Sequence, residues 1–593
     1  MRAITTAGII VGCMLLLGSQ LYAADDTSNR RLVQSANLTG GRPEDNRVRL
    51  TPWRKTDDTI EGWDWSLPPG VKPVPNSGLI FAREKRTFPG NKLANVSVFW
   101  RNVEPEEGKY DFSSLKKKLA SLPKDVIGCR FHFYATTAYR TSNGRKQLIG
   151  PAWMEKYAKQ IPLIDMTSME GRFQLVNYAI WSPEYHKRYL RVIDAFAKSG
   201  IPGNKALRIV YVGAISKSWG EEMFIPPIPA QWAEKNTGLT PERLEKCLNE
   251  RLDAWAKAFK GRENVLAWVG AGGMGVAGKA GDYRKAARNV IAHAYKLGMG
   301  QRCGFVENYL YHLHNPALGQ SVDDRGYILV DETCPPIANR RAFGDENEEY
   351  GRHWVGRFGA IETHAYRYHE SMIRSLQMRR NYLWMSGSSV DMDPPLTAYM
   401  SMALGRNIND SPDAFCYLRQ SFVRGSAAGK KGKAVAIRNF ERWLVQRDRD
   451  GYRTQPAIKV PQHESMWMVP KTHKFDYIAR RTDIASKNSK IGFALDDRFP
   501  GGGPRSAAIK VTYHDIGRGN WTLVYTKPTG WAGRRTIQCK DSKKVLTATF
   551  HLTDACFAGK GDAFDFYIEA AGEDATISFV RVIRTKRAPA TGR

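Results

Sequence analysis

Between residues 93 and 385, short runs of β-branched and aromatic residues alternate with longer amphipathic stretches, and this alternation constrains the fold more than any other feature. Strand-like runs fall at 95–101, 125–134, 207–216, 264–269, 302–308, 326–332, 342–349 and 382–385. Helical patterns cover 113–122, 185–199, 242–259, 282–297 and 362–380. Strands that alternate with helices pair in parallel, because each crossover returns the chain to the same end of the sheet. About eight such strands, with no Gly-rich phosphate loop, favour a closed barrel over an open sheet.

After residue 425 the texture changes to short alternating runs at 434–437, 508–513, 521–525, 546–550, 563–567 and 575–580, separated by Gly, Asp, Asn and Pro. Hairpin spacing of this kind predicts an antiparallel sandwich. The expected fold class is therefore α/β: a (β/α)8 TIM barrel with a C-terminal antiparallel β-sandwich domain. Trp521 and Trp531 of the second domain are either sugar-stacking surface residues or buried structural ones.

Catalytic groups of such barrels sit at the C-terminal tips of the strands. The run at 207–216 leads into Trp219-Gly220-Glu221-Glu222. Trp219 would supply an apolar wall able to raise a neighbouring carboxyl pKa, which makes Glu221 a candidate acid; the alternative is a pair of solvated loop charges. In 125–134 the two-residue period sets Cys129, Phe131 and Phe133 on one face and Arg130, His132 and Tyr134 on the other. The second face suits a barrel mouth.

The N-terminus combines Arg2, an apolar run from Ile9 to Leu17 and Leu21-Tyr22-Ala23, the layout of a secretory signal peptide cleaved after Ala23. Ile10-Val11-Gly12-Cys13 also resembles a lipoprotein box, but the apolar run continues past it. No later run reaches the roughly 20 apolar residues of a membrane span. The expectation is a secreted or periplasmic protein. The seven cysteines after residue 23 are scattered, so they are free thiols or, for Cys539 and Cys556, one closed loop. None has zinc-site spacing and no calcium loop appears, so no metal or other cofactor is expected. Cys334-Pro-Pro-Ile-Ala338 approaches a sulfatase box, but Ala338 stands where that box needs Arg.

The net charge is +30. A field of that sign concentrates an anionic partner. Its spread along the whole chain, without a nucleic-acid module, argues against nucleic acid and for an extracellular anionic polysaccharide or oligosaccharide; a plain solubility role is the other reading.

Residues 98–112, Val-Phe-Trp-Arg-Asn-Val-Glu-Pro-Glu-Glu-Gly-Lys-Tyr-Asp-Phe, resemble the first β-α unit of clan A glycoside hydrolases of the β-galactosidase and β-agarase kind. Trp219-Gly220-Glu221 is similar to the clan's acid/base position after the fourth strand, except that Gly220 replaces the usual Asn. The resemblance covers roughly 76–425. It implies a nucleophile at the end of the seventh strand, where Glu346 matches best and Glu348 second, with Glu332 and Glu362 behind them. It also implies that Arg130 is the second-strand arginine that keeps the nucleophile ionised. His132, Trp219, Trp268, Asn308, Tyr309 and Trp384 are candidate sugar contacts.

Together these readings predict a signal peptide (1–23), an N-terminal arm packing on a later domain (24–75), a catalytic barrel (76–425) and an accessory sandwich (426–593). The expected activity is hydrolysis of an anionic, galactose-type polysaccharide by a retaining two-carboxylate mechanism. A carbohydrate-binding barrel without catalysis and a polysaccharide lyase are the alternatives.

Overall fold

The computed structural model describes residues 46–142, 144–167, 173–213, 228–269, 276–277, 280–348, 350, 363–461, 468–470, 472–473, 475–499, 504–557 and 564–585. Its centre is a closed barrel of eight parallel strands. In chain order these are β1 (Gly78–Phe81), β2 (Lys92–Phe99), β3 (Cys129–Tyr134), β4 (Leu207–Val212), β5 (Leu266–Val269), β6 (Gly300–Phe305), β7 (Phe343–Asn347) and β8 (Tyr382–Met385). Each pairs with its neighbours in sequence, and β8 closes on β1 through Tyr382↔Gly78 to Met385↔Phe81.

Among the described residues seven helices of eight residues or more follow strands of the barrel or its connections; besides the short Ala230–Thr237 they are α1 (Ser113–Ala120), α2 (Pro183–Lys198), α3 (Pro241–Ala258), α4 (Ala280–Lys296), α5 (His364–Gln377) and α6 (Pro394–Ala403). Proline opens α2, α3 and α6, where its missing N–H costs nothing, and the Thr240 and Asp393 side chains cap α3 and α6. α2 and α3 each bury one stripe, Tyr185, Tyr189, Val192 and Phe196 of α2 packing with Leu248, Leu252 and Trp255 of α3 in one core with the outer faces of β2 to β5, whereas α5 and α6 are buried on nearly every side.

Two expectations are corrected here. Gly78–Phe81, an apolar run without alternation, is the first barrel strand, so Arg130 stands on the third strand and not the second. The run expected at 326–332 is a short strand, Ile328–Val330, paired antiparallel with Gln320–Val322 outside the barrel.

The C-terminal region is two antiparallel sheets face to face. The larger has eight strands, and Asp413–Val423 already belongs to it, ahead of the boundary expected at 426. One edge is Asp58–Glu61 of the expected N-terminal arm, paired with Val545–Cys556 through Asp58↔Thr549 and Ile60↔Thr547. The other edge, Gln455–Pro461, carries Pro456 and Pro461, residues that sheets tolerate at edges. The smaller sheet has five strands in the order Leu444–Gln446, Lys490–Leu495, Phe566–Ala571, Asn520–Lys527 and Gly530–Gln538. Between the sheets Ile509, Val511, Phe550 and Val580 meet Phe493, Leu523, Ile568 and Trp521. Trp521 is fully buried there, edge-on to Tyr513 at 5.2 Å, so it is a structural residue. All seven described cysteines are buried free thiols, Cys539 and Cys556 included.

Barrel and sandwich share a core and a buried polar knot. Asp476 accepts hydrogen bonds from Tyr309 and Tyr366 of the barrel at 2.6 Å each, from Arg419 at 3.1 Å, and from Ser421. Arg419 also pairs with Glu370 of α5 at 2.6 Å. A second buried pair, Lys510 with Asp64, ties the segment after the arm strand to the larger sheet; burial raises the Asp64 carboxyl, but the Lys510 ammonium beside it outweighs this and leaves it below its ordinary pKa.

Candidate active site

Strand alternation decides what the lumen contains. On β3 Cys129, Phe131 and Phe133 join the outer core, which leaves Arg130, His132 and Tyr134 on the opposite, lumen face, as the two-residue period predicts. On β4 Ile209 and Tyr211 point inward, and on β8 Tyr382 and Trp384 do. Ile80, Leu93, Ile209, Ala267, Val269 and Ala342 fill the lumen with an apolar plug, so the barrel is a packed core with a polar upper layer and no pore. Gly344 of β7 is required by that filling: a Cβ there would lie 2.4 Å from the Tyr382 carbonyl oxygen and 2.6 Å from its ring.

Around Gly344 the side chains of β7 divide sharply. Phe343 packs outward on Cys303 and Leu318, Asp345 is held by Arg380 at 2.6 Å, and Asn347 accepts from Ser371 at 3.0 Å. Glu346 has the other parity and forms an ion pair with Arg302 of β6. The cation is 3% exposed and the carboxylate 16%, so the anion faces the mouth while its counter-charge lies beneath. Next to Glu346 in the β7–β8 register stands Trp384. Its indole N–H donates to Glu348, whose own backbone N–H donates to the fully buried Glu307.

Arg130 lies between two rings, 4.6 Å from the centroid of Tyr211 and 4.4 Å from that of Trp384, and contacts His132 Nδ1 at 3.2 Å. Burial first, then the charges of Arg130 and Arg302, hold His132 well below its ordinary pKa, so its ring is neutral. Burial pushes the Tyr211 phenol up to about 12. His132 also packs against Tyr134, ring centroids 4.3 Å apart. The upper layer is therefore two part-exposed carboxylates, Glu346 and Glu348, two buried guanidiniums, a neutral imidazole and an aromatic wall.

Of the residues expected from sequence, the lumen brings together Arg130, His132, Trp384 and Glu346, with Glu348, the second candidate, on the Trp384 indole. Glu221 and Trp219 fall within 214–227, and Glu362 within 351–362, outside the described residues. Three other expectations are corrected. Trp268 faces the outer core with Leu266, because Ala267 and Val269 take the inward parity of β5. Tyr309 is spent on Asp476 at the domain interface. Glu332 is paired with Arg379 at 2.7 Å outside the barrel mouth. Asn308 is buried in the turn leaving β6, its backbone carbonyl accepting from Tyr311. Sequence reasoning missed Arg302, Tyr211, Tyr382 and Glu307. The period-2 rule applied to Leu207–Val212 and Gly300–Phe305 finds the first two, with Ile209 and Tyr211 on one face and Arg302 opposite Gln301 and Cys303.

The signature at 98–112 has a structural explanation. Glu104 is fully buried and accepts from the Trp100 indole at 2.6 Å and from the Gly108 backbone N–H at 2.7 Å. Gly108 has φ +83°, a conformation glycine adopts without strain. Trp, Glu and Gly at this spacing thus form a clamp behind β2, and none of the three is in the lumen.

No protein-family model matches the chain, and no curated protein sequence matches it. Among solved structures the chain is similar to the catalytic domain of a β-amylase from Paenibacillus polymyxa, at 12% identity and TM-score 0.31, over 52% of this chain and 90% of that one. It is also similar to a glucosidase from Croceicoccus marinus, at 7% identity and TM-score 0.26, over 87% of this chain and 97% of that one. A third is a cycloisomaltooligosaccharide glucanotransferase from a Paenibacillus species, solved with cycloisomaltoheptaose, at 8% identity and TM-score 0.19, over 83% of this chain and 57% of that one.

Proposed function

We propose that the chain is a secreted glycoside hydrolase acting on an anionic polysaccharide, with Glu346 as nucleophile or base and Glu221 as the proton donor. The observation that carries this reading is Glu346: a part-exposed carboxylate at the C-terminal end of β7, set over a buried arginine and beside the Trp384 ring. Glycosidic cleavage needs one carboxylate kept ionised and a second group to protonate the leaving oxygen. Arg302 supplies the buried cation against which Glu346 is held, and Trp384, one face covered by Arg130, forms the wall beside that carboxylate. Arg130 and Arg302 add positive potential beneath the mouth, which suits a sulfated or uronic sugar.

A second reading is favoured by His132 and its neighbours. A neutral imidazole beside Tyr134 and two arginines is the equipment of a lyase: a base to take the proton α to a uronic carboxylate, and cations to hold the resulting charge. One experiment separates the two. The full chain and its Glu346→Gln variant are incubated with sulfated, uronic and neutral glycans, and reducing ends and ultraviolet absorbance are followed together. Hydrolysis yields reducing ends without absorbance and falls at least about a hundredfold in the variant. Absorbance rising in step with reducing ends would replace hydrolysis with elimination, and no product from any glycan would remove both readings.

A further inference from the structure

The outward face of the five-stranded sheet carries an aromatic strip far from the barrel lumen. Alternation sends Ile491, Phe493, Phe566, Ile568 and Leu523 into the sandwich core and leaves Lys490, Tyr567 and Trp531 on the other side. Trp531 sits on the edge strand and is 40% exposed, a large apolar surface for a side chain with no covering element among the described residues. Its ring lies 5.0 Å from that of Tyr567, and Tyr567 lies 5.8 Å from Tyr452, which is backed by the buried Phe564 at 4.9 Å.

Cations accompany the rings. Lys490 Nζ is 4.8 Å from the Tyr567 centroid, and Arg449 Cζ is 4.9 Å from that of Tyr452. Glu569, beside Lys490 at 3.5 Å, adds an acceptor next to a donor. Rings with adjacent donor and acceptor groups fit a pyranose: its C–H face packs on the aromatic surface while its hydroxyls reach the ammonium and the carboxylate. A stack of nucleobases would use the rings equally well, but its phosphates would meet Glu569. The excess of positive charge in the strip and in the chain as a whole favours a glycan that carries acidic groups.

We propose that Trp531, Tyr567 and Lys490 form a second binding site, on the sandwich, for a chain of acidic pyranoses. The site holds polymer and performs no chemistry. Its ligand class deepens the reading of the barrel, and the test keeps the two apart. The full chain, Trp531→Ala, Tyr567→Ala and Glu346→Gln are compared by affinity electrophoresis in gels containing acidic polysaccharides, neutral polysaccharides or poly(dT), and by turnover of a short soluble oligosaccharide.

The expected result is retardation by an acidic polysaccharide that weakens about tenfold, or about 1.4 kcal/mol, in Trp531→Ala and Tyr567→Ala and persists in Glu346→Gln. Turnover of the short substrate stays at the parent level in both aromatic variants. Retardation that survives Trp531→Ala, that is seen only with neutral glycans or poly(dT), or that is absent throughout overturns the proposal. Trp531-dependent retardation without turnover of any glycan would uphold this site and remove the hydrolase.

Discussion

Arg302 lies directly beneath Glu346, its guanidinium buried on β6 and the carboxylate opening toward the barrel mouth from β7. The pair positions the carboxylate: a buried guanidinium holds one oxygen of Glu346 while the side chain stays part-exposed toward the mouth. Arg302→Lys keeps the charge and loses the planar fork, while Arg302→Met removes both. Turnover should therefore fall from the parent to the Lys variant to the Met variant, at equal folded content by circular dichroism. A Met variant as active as the parent would show that Glu346 works without its cation.

Stability should peak near pH 6.5. Burial pushes Asp393 and Glu370 up to about 7, so below that pH both hold a proton in the folded chain that they lose on unfolding, and above it Glu370 is the charged partner of Arg419. Their contribution is complete below the unfolded carboxylate range and is lost as pH rises through about 7. His312, His369 and His514 are pushed down by burial to about 4, 3 and 4, so their contribution is present above about 6.5 and lost as pH falls toward those values. Below pH 6.5 three such histidines outweigh two carboxyls, each group counting about 1.4 kcal/mol per pH unit. Asp393→Asn keeps an acceptor for the Leu396 N–H and removes one titration, so the loss of melting temperature between pH 6.5 and 8 should become shallower.

Asp476 should be the most costly single polar residue to remove at the domain interface. Truncation to Ala leaves Arg419 with one carboxylate fewer and two buried phenols, Tyr309 and Tyr366, without their acceptor. Breaking a buried charged network costs about 3–5 kcal/mol. Calorimetry of Asp476→Ala should show a lower melting temperature and a barrel transition separating from that of the sandwich. An unchanged single transition would mean that the shared apolar core alone holds the domains.

If the positive field serves an acidic substrate, added salt should raise KM for that substrate more than for a neutral analogue. Screening acts on exposed charges over about 10 Å at 0.1 M ionic strength and leaves the buried Arg130 and Arg302 largely untouched. An equal salt response for the two substrates would assign the charge to solubility.

What the sequence could reveal followed physical range. The face split of β3 was legible because a strand's two-residue period is a local property, whereas Glu346 was reached only through the resemblance of 343–349 to a seventh-strand end. Trp268 was misread because Leu266–Val269 is apolar on both faces, so nothing in four residues says which side is the lumen. Gly78–Phe81 has the same defect and follows a turn-rich stretch, which hid the first strand. Tyr309 is fixed by an acceptor 167 residues away, a contact that no local pattern encodes.

The edge strand Asp58–Glu61 and the nearby Asp64 place a demand on the order of folding. Arg581 donates to the Asp64 carbonyl across 517 residues. At synthesis rates of 5–20 residues per second, the early segment waits about 25–100 s for this partner. The barrel strands are all made before the larger sandwich sheet has its full set of strands, so that sheet is assembled after synthesis around a segment made near the beginning. Until then Asp64 has no Lys510 and the early strand no neighbour. Slow release of the nascent chain, or a chaperone that covers residues 58–64, should raise the yield of folded protein more than any change within the barrel.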